Sequence, residues 1–140
     1  MSRTLGIDYG TVRIGLALSD PTGTLASPLP HLEKKSPAQI RDFLGELIQT
    51  QNISKIVVGL PRNMDGSYGP AAEKVRSFIS QIQTSLGIPI ETQDERLTTA
   101  QASKQLSEFG LSQKDLRKKI DSSSAALILQ QYLDLKSPLR

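Results

Sequence analysis

Three acidic residues in this 140-residue chain, Asp8, Glu95 and Asp121, stand where chemistry is a better explanation than structure. Asp8 ends the apolar run Leu5-Gly6-Ile7 and leads into Tyr9-Gly10-Thr11. Aspartate is disfavoured in strands, and the nearby glycines let the backbone bend or a ligand approach closely. Glu95 follows a predicted strand in Asp94-Glu95-Arg96, and Asp121 is expected to open the last helix one turn before Ala125. Each acid has a competing role: Asp8 as a turn residue, Glu95 as an ion-pair partner of Arg96, Asp121 as a helix N-cap. Three carboxylates brought together without cations repel one another, so such a cluster is expected to be neutralised by metal. Oxygen ligands select hard ions. Magnesium or manganese is therefore the expected cofactor, as two ions about 4 Å apart that clamp the attacking water and the leaving oxygen of a phosphodiester. The reaction implied is nucleic-acid hydrolysis.

Cationic and polar residues near these acids extend the pattern. The segment Gly59-Leu60-Pro61-Arg62-Asn63-Met64-Asp65-Gly66 offers Arg62 for a phosphate and Asn63 as a polar contact, or it is an ordinary surface turn. Arg96 is placed to stabilise charge on a scissile phosphate or to orient Glu95. Lys114, Arg117, Lys118 and Lys119 crowd the residues before Asp121, with Lys118 and Lys119 as candidate substrate contacts. Such a run is either a solvated helical face or a phosphate-binding stripe.

The elements that must hold these residues are legible in the periodicity. Residues 3–8, 12–18 and 24–32 read as three strands joined by Gly10-Thr11 and by the turn Asp20-Pro21-Thr22-Gly23, and they are expected to pair as antiparallel hairpins. Ser36-Pro37 reads as an N-cap with proline at the first helical position, and Ile40, Phe43, Leu44, Leu47 and Ile48 form an apolar stripe to about Gln51. Lys55 to Leu60 is a strand apolar enough to be buried on both faces. Val75, Phe78, Ile79, Ile82 and Leu86 predict a second helix closed by Gly87, and Ile88 to Thr92 a fifth strand. Thr98-x-x-Gln101 reads as a capping box opening a helix that stops at Gly110. Ser112 is expected to cap a short basic helix, and a separate last helix is expected from Asp121, with Ala125, Ile128, Leu129, Tyr132 and Leu133 on one face.

The order predicts an α/β fold: three antiparallel strands, then two parallel crossovers, in a five-stranded mixed sheet flanked by helices. It matches the ribonuclease H-like arrangement, in which the first strand lies centrally beside the fourth. Asp8 and Glu95 both fall at carboxyl ends of strands, where ligands bind in such sheets, and Asp121 can reach the same place from the helix start.

Composition narrows the chemistry further. A chain of 140 residues suits one domain, residues 1–140, with a core of its own. The absence of cysteine excludes disulfides, thiolate zinc sites and cysteine nucleophiles. The single histidine, His31, excludes a two-histidine zinc site; in its Pro-rich surroundings it reads as a plain surface residue. No stretch is apolar for the length of a membrane span, and no signal-peptide pattern is seen, so a cytoplasmic protein without membrane association is expected. A formal net charge of +3 and a pI near 9.3 permit nucleic-acid binding.

Four motifs, Gly6-Ile7-Asp8-Tyr9-Gly10-Thr11, the Gly59–Gly66 segment, Asp94-Glu95-Arg96-Leu97-Thr98-Thr99 and Ile120-Asp121-Ser122-Ser123-Ser124-Ala125-Ala126, resemble the YqgF family, also called RuvX. The resemblance covers essentially the whole chain. It implies a ribonuclease H-like, metal-dependent nuclease that processes the 5′ end of pre-16S ribosomal RNA in ribosome biogenesis, with an acidic triad on Asp8, Glu95 and Asp121. Precursor rRNA, and structured DNA besides, are the partners implied.

Three other readings compete. A Holliday junction resolvase would act on four-way DNA junctions as a symmetric dimer, whereas the sequence itself is compatible with a monomer or weak homodimer. The first motif also resembles the phosphate loop of sugar kinases, actin and Hsp70 chaperones, which bind nucleotide between two such domains; a chain of this length supplies one. A non-catalytic rRNA-binding module would use the acids only as structural ends.

Overall fold

The computed structural model describes residues 2–10, 12–33, 36–61, 65, 67–94 and 113–136, with side chains of the last segment described from Ser124 onward. Five strands are present: β1 (Arg3–Tyr9), β2 (Arg13–Ser19), β3 (Ala26–Glu33), β4 (Ile53–Leu60) and β5 (Ile90–Asp94). Three described helices accompany them: α1 (Pro37–Gln51), α2 (Pro70–Leu86) and α3 (Gln113–Lys136). The sheet order is β3-β2-β1-β4-β5. β1 pairs antiparallel with β2 and parallel with β4, which places the first strand at the centre as its apolar run requires.

Local chemistry sets the helix ends. The Ser36 hydroxyl accepts the Gln39 N–H at 3.3 Å while Gln39 Oε1 accepts the Ser36 N–H at 3.3 Å, a reciprocal cap that starts α1 with Pro37 in its first turn. α2 ends where Gly87 takes a left-handed conformation, φ 68°, and donates to the Gln83 carbonyl. Asn52 closes α1 in the same way at φ 54°, a position tolerated by its short polar side chain.

Alternation along the strands then decides which face meets which helix. Leu5 and Ile7 of β1, with Ile14, Leu16 and Leu18 of β2, bury against Ile40 and Leu44 of α1 and Val75, Phe78 and Ile82 of α2. Ala17 and Val57 point to the opposite face and pack on Ala125, Ile128, Leu129, Tyr132 and Leu133 of α3. Gly6 lies on this second face. A Cβ there would lie 2.8 Å from Leu129 Cβ, so α3 rests directly on the backbone of the central strand. β4 is buried on both faces from Ile56 to Leu60, as its sequence requires.

One expectation is corrected. The chain does not form a short basic helix followed by a new helix at Asp121: α3 runs unbroken from Gln113 to Lys136. Asp121 therefore lies inside a helix, and the N-cap reading of it falls. The physical reason is that serine and aspartate cost only about 0.5 kcal/mol each in a helix interior, less than the backbone hydrogen bonds lost at a break. The helix expected over 98–110 lies outside the described residues. Among the described residues no helix is long and apolar enough to cross a membrane.

Candidate active site

β1, β4 and β5 run parallel, so their carboxyl ends share one edge of the sheet. Ile7 pairs with Val58 and Val58 with Thr92; one residue on, Gly59 pairs with Gln93, and Leu60 with Asp94, the last residue of β5. Asp8 belongs to that same upper row. It shares a face with Gly6, two residues earlier, and so projects to the side covered by α3.

The neighbour of Asp8 across the antiparallel ladder is Gly15. A Cβ on Gly15 would lie 3.4 Å from Asp8 Cβ and 3.6 Å from Ala125 Cβ. Glycine therefore leaves a gap bordered by the carboxylate and by α3. On the far side, the β2–β3 ladder slips: Ile14 pairs with Leu32 but Leu16 with Leu29, so Gly15 stands opposite the bulged pair Pro30-His31. The result is an open notch of about 280 Å³ lined by Asp8, Arg13, Gly15 and His31. Asp8 is half-buried, while Arg13 and His31 are exposed.

The hairpin that carries Asp8 and Arg13 is fixed by Gly10. Its N–H donates to the Arg13 carbonyl at 3.1 Å, and a Cβ on residue 10 would stand 2.5 Å from that same oxygen. Only glycine closes this turn without moving β2. Arg13 thereby falls two residues before Gly15, on the face of Asp8.

Contacts away from the notch hold α3 in place over it. Gln130 Oε1 accepts the Ala26 N–H at 2.9 Å and Gln130 Nε2 donates to the Thr24 carbonyl at 2.9 Å, tying α3 to the start of β3. At the other end of the sheet, Lys55 Nζ donates to Tyr132 Oη at 3.0 Å, Tyr132 donates to Glu91 Oε2, and Lys55 lies 3.4 Å from the same carboxylate. The Tyr132 hydroxyl, and then the Lys55 charge, hold the Glu91 carboxyl below the usual range. The hydrogen bond to Tyr132 raises Lys55, and burial raises Tyr132.

The expected site residues divide by what is described. Asp8 opens on the notch. Asp121, Lys118 and Lys119 lie within α3, their side chains outside the described set; Glu95, Arg62, Asn63 and Arg96 lie outside the described residues. Of the loop after β4, Asp65 accepts the Ser67 N–H at 2.9 Å and hydroxyl at 2.6 Å, bonds that lower its carboxyl. Among the described residues no three His, Cys, Asp or Glu side chains gather as a metal group. Sequence reasoning passed over Arg13 and treated His31 as a plain surface residue; the structure sets both beside Asp8. Arg13 was legible from the two-residue hairpin turn, but His31 depends on a bulge that periodicity does not show.

Comparison with known proteins agrees with this architecture. The sequence profile of the RuvX family, described as Holliday junction resolvase, matches residues 2–135. A protein of Pelotomaculum thermopropionicum named "Putative pre-16S rRNA nuclease" is 45% identical over 133 residues, 94% of this chain and 86% of that one. One of the same name from Moorella thermoacetica is 46% identical over 132 residues, 94% of each chain. Among solved structures, T. thermophilus RuvC in complex with a Holliday junction substrate superposes with a TM-score of 0.57 at 16% identity, over 97% of each chain. The fowlpox virus Holliday junction resolvase follows at 0.53 and 12%, over 95% of this chain and 99% of that one. These structural likenesses establish the ribonuclease H-like fold of the RuvC-type nucleases, and the profile match across residues 2–135 establishes that the chain belongs to the RuvX family.

Proposed function

We propose that this protein is a metal-dependent nuclease that hydrolyses phosphodiester bonds and processes the 5′ end of precursor 16S rRNA. One observation carries the reading: Asp8 is a half-buried carboxylate on the central strand, at the edge where the parallel strands end, opening on a glycine-floored notch. Ligands of open α/β sheets bind at that edge. The names of the relatives supply the substrate.

The backbone of α3 supports Asp121 as its partner, and the end of β5 supports Glu95. In sequence Glu95 follows Asp94, the last residue of β5, and that strand lies two places from β1, about 10 Å away laterally. Ala125 borders Gly15, and Leu129 lies over Gly6; the turn before Ala125 carries the helix about 6 Å onward in the direction from Gly6 to Asp8. Residue 121 belongs to that turn.

The donor chemistry at Asp8 suits a hard divalent cation, since the notch offers carboxylate oxygen and no thiol. Asp8, Glu95 and Asp121 would hold magnesium or manganese, which when bound supplies charge neutralisation and an acidified water. The chain's own residues do the rest. Arg62, Asn63, Arg96, Lys118 and Lys119 bind and orient the polyanionic strand, and α3 covers the sheet face to which Asp8 projects. In this reading the protein works in the cytoplasm as a monomer or weak homodimer.

The test is purified protein with magnesium or manganese on a precursor 16S rRNA fragment, with product ends mapped beside Asp8→Asn. Metal-dependent ends that vanish in the variant are expected; equal cleavage by both proteins overturns the reading. The family description favours a four-way DNA junction as the second substrate. Paired symmetric junction cuts without RNA cleavage would establish that substrate instead, and would require a two-fold dimer.

A further inference from the structure

We propose that Arg13 and His31 form a phosphate-binding subsite that grips the nucleic-acid backbone on the β2–β3 side of Asp8. The proposal rests on the nuclease reading of Asp8 and names where the strand adjoining the reacting bond lies. Three adjacent strands each supply one part of the notch: Asp8 from β1, Gly15 and Arg13 from β2, and His31 from the bulge in β3. Its volume of about 280 Å³ is ample for a phosphate group with its bridging oxygens, and the lining chemistry selects that group.

The chemistry of the lining is asymmetric. Asp8 alone would repel a phosphodiester. Arg13 faces the same space with a planar fork of N–H donors that matches phosphate oxygens two at a time, and His31 adds a ring N–H. Neither side chain is committed elsewhere: among the described residues Arg13 and His31 have no side-chain hydrogen bond or ion pair, and both are exposed. Gly15 completes the device, because any side chain there would occupy the floor between the carboxylate and the N–H donors of Arg13 and His31. The β3 bulge turns His31 toward the row that Asp8 and Gly15 share. A strand held here crosses the antiparallel half of the sheet, while Arg62 and Arg96, which follow β4 and β5, serve the other side of the reacting bond.

The experiment reads binding of a fluorescein-labelled single-stranded RNA by the full chain in EDTA, so that cleavage does not enter. Arg13→Gln is expected to weaken binding roughly tenfold and His31→Gln by a smaller factor. Arg13→Gln should also lower the slope of log affinity against log salt by about 0.7, the loss of one phosphate contact on a single strand. A second arm alters the RNA instead, replacing each phosphate in turn by a neutral methylphosphonate, and is read on wild type and on Arg13→Gln. One replacement should weaken wild type and leave Arg13→Gln unaffected. Wild-type affinity and slope in both variants, or effects of Arg13→Gln and every methylphosphonate that simply add, overturn the subsite. Magnesium-dependent cleavage by wild type against Asp8→Asn is run in parallel. Absent cleavage with the coupled binding loss rejects the nuclease reading and keeps the subsite; cleavage without coupling does the reverse.

Discussion

Gly6 and Leu129 touch backbone to side chain: a Cβ on residue 6 would lie 2.8 Å from Leu129 Cβ and 3.1 Å from the Ala125 carbonyl oxygen. At this position the central strand has no side chain between itself and the helix that carries Asp121. Gly6→Ala must lift α3 from the sheet. We expect a loss of about 1–3 kcal/mol in urea unfolding, with reduced nuclease activity from the displaced helix. Because the clash is with Cβ, trimming Leu129 to alanine does not relieve it. The double variant should be less stable than Gly6→Ala; recovery of stability would show that the close approach does not set the helix position.

The carboxylates should behave as one unit. Asp8→Asn, Glu95→Gln and Asp121→Asn are each expected to lower magnesium-dependent cleavage by on the order of 10²–10³ while leaving the melting temperature and RNA affinity largely intact. Chelation of wild type should reproduce the loss, and added metal should restore it. Initial rates with melting curves on the same samples provide the check; undiminished cleavage in all three variants removes the metal site.

The network of Tyr132, Glu91 and Lys55 anchors the second half of α3 and makes stability depend on acid. Glu91 is held below its ordinary carboxylate range, first by the Tyr132 hydroxyl. Its contribution is therefore complete above the unfolded value of about 4.3 and is lost as pH falls through the lower folded value. Tyr132→Phe should destabilise by about 0.5–1.5 kcal/mol at neutral pH and flatten the acid limb of the stability curve below pH 5. The partial exposure of Lys55 and Glu91 keeps the ion pair itself a minor part of this. An acid limb identical to wild type would assign the network no role.

Gln130 acts as a surrogate strand for the first residues of β3, taking the Ala26 N–H and capping the Thr24 carbonyl. Gln130→Ala should cost about 0.5–1.5 kcal/mol, since the half-buried Ala26 N–H loses its partner while the exposed Thr24 carbonyl turns to water. Hydrogen exchange reads it directly. The Ala26 amide should exchange faster than in wild type while Leu5 and Ile7 amides track only the global change.

For the basic run, replacing Lys114, Arg117, Lys118 and Lys119 with glutamine should weaken RNA binding uniformly across sequences and reduce the salt slope by about 0.7 for each phosphate contact removed. A slope equal to wild type would make this a merely solvated face.

Much of the architecture was written in local chemistry. The Ser36 cap, Pro37, the Gly87 C-cap and the apolar stripes of α1 and α2 depend on residues within a turn or two of one another, and all appear where the sequence put them. The order of strands, with apolar β4 inside the sheet beside β1, follows from the same patterns. Boundaries drifted by about two residues where pairing rather than propensity sets them: β4 starts at Ile53 and β5 runs Ile90–Asp94, because their ladder partners extend that far. Asp121-Ser122-Ser123-Ser124 looked like a helix start, yet a helix passes through it, since caps are weak preferences beside a continuous hydrogen-bonded backbone.

By itself the sequence determined that Asp8 belongs to the end of a strand and Asp121 to a helix of one mixed sheet, and it raised the expectation that Glu95 joins them as oxygen donors for a hard metal. Periodicity is a property of neighbours along the chain, so it shows which face a residue takes. Only the tertiary structure decided that Gly15 lies across from Asp8, that a bulge in β3 brings His31 to the same notch, and that α3 rests on Gly6. Those relations depend on register between strands and on the contact distance of a helix, and both are settled by packing across the sheet rather than along the chain.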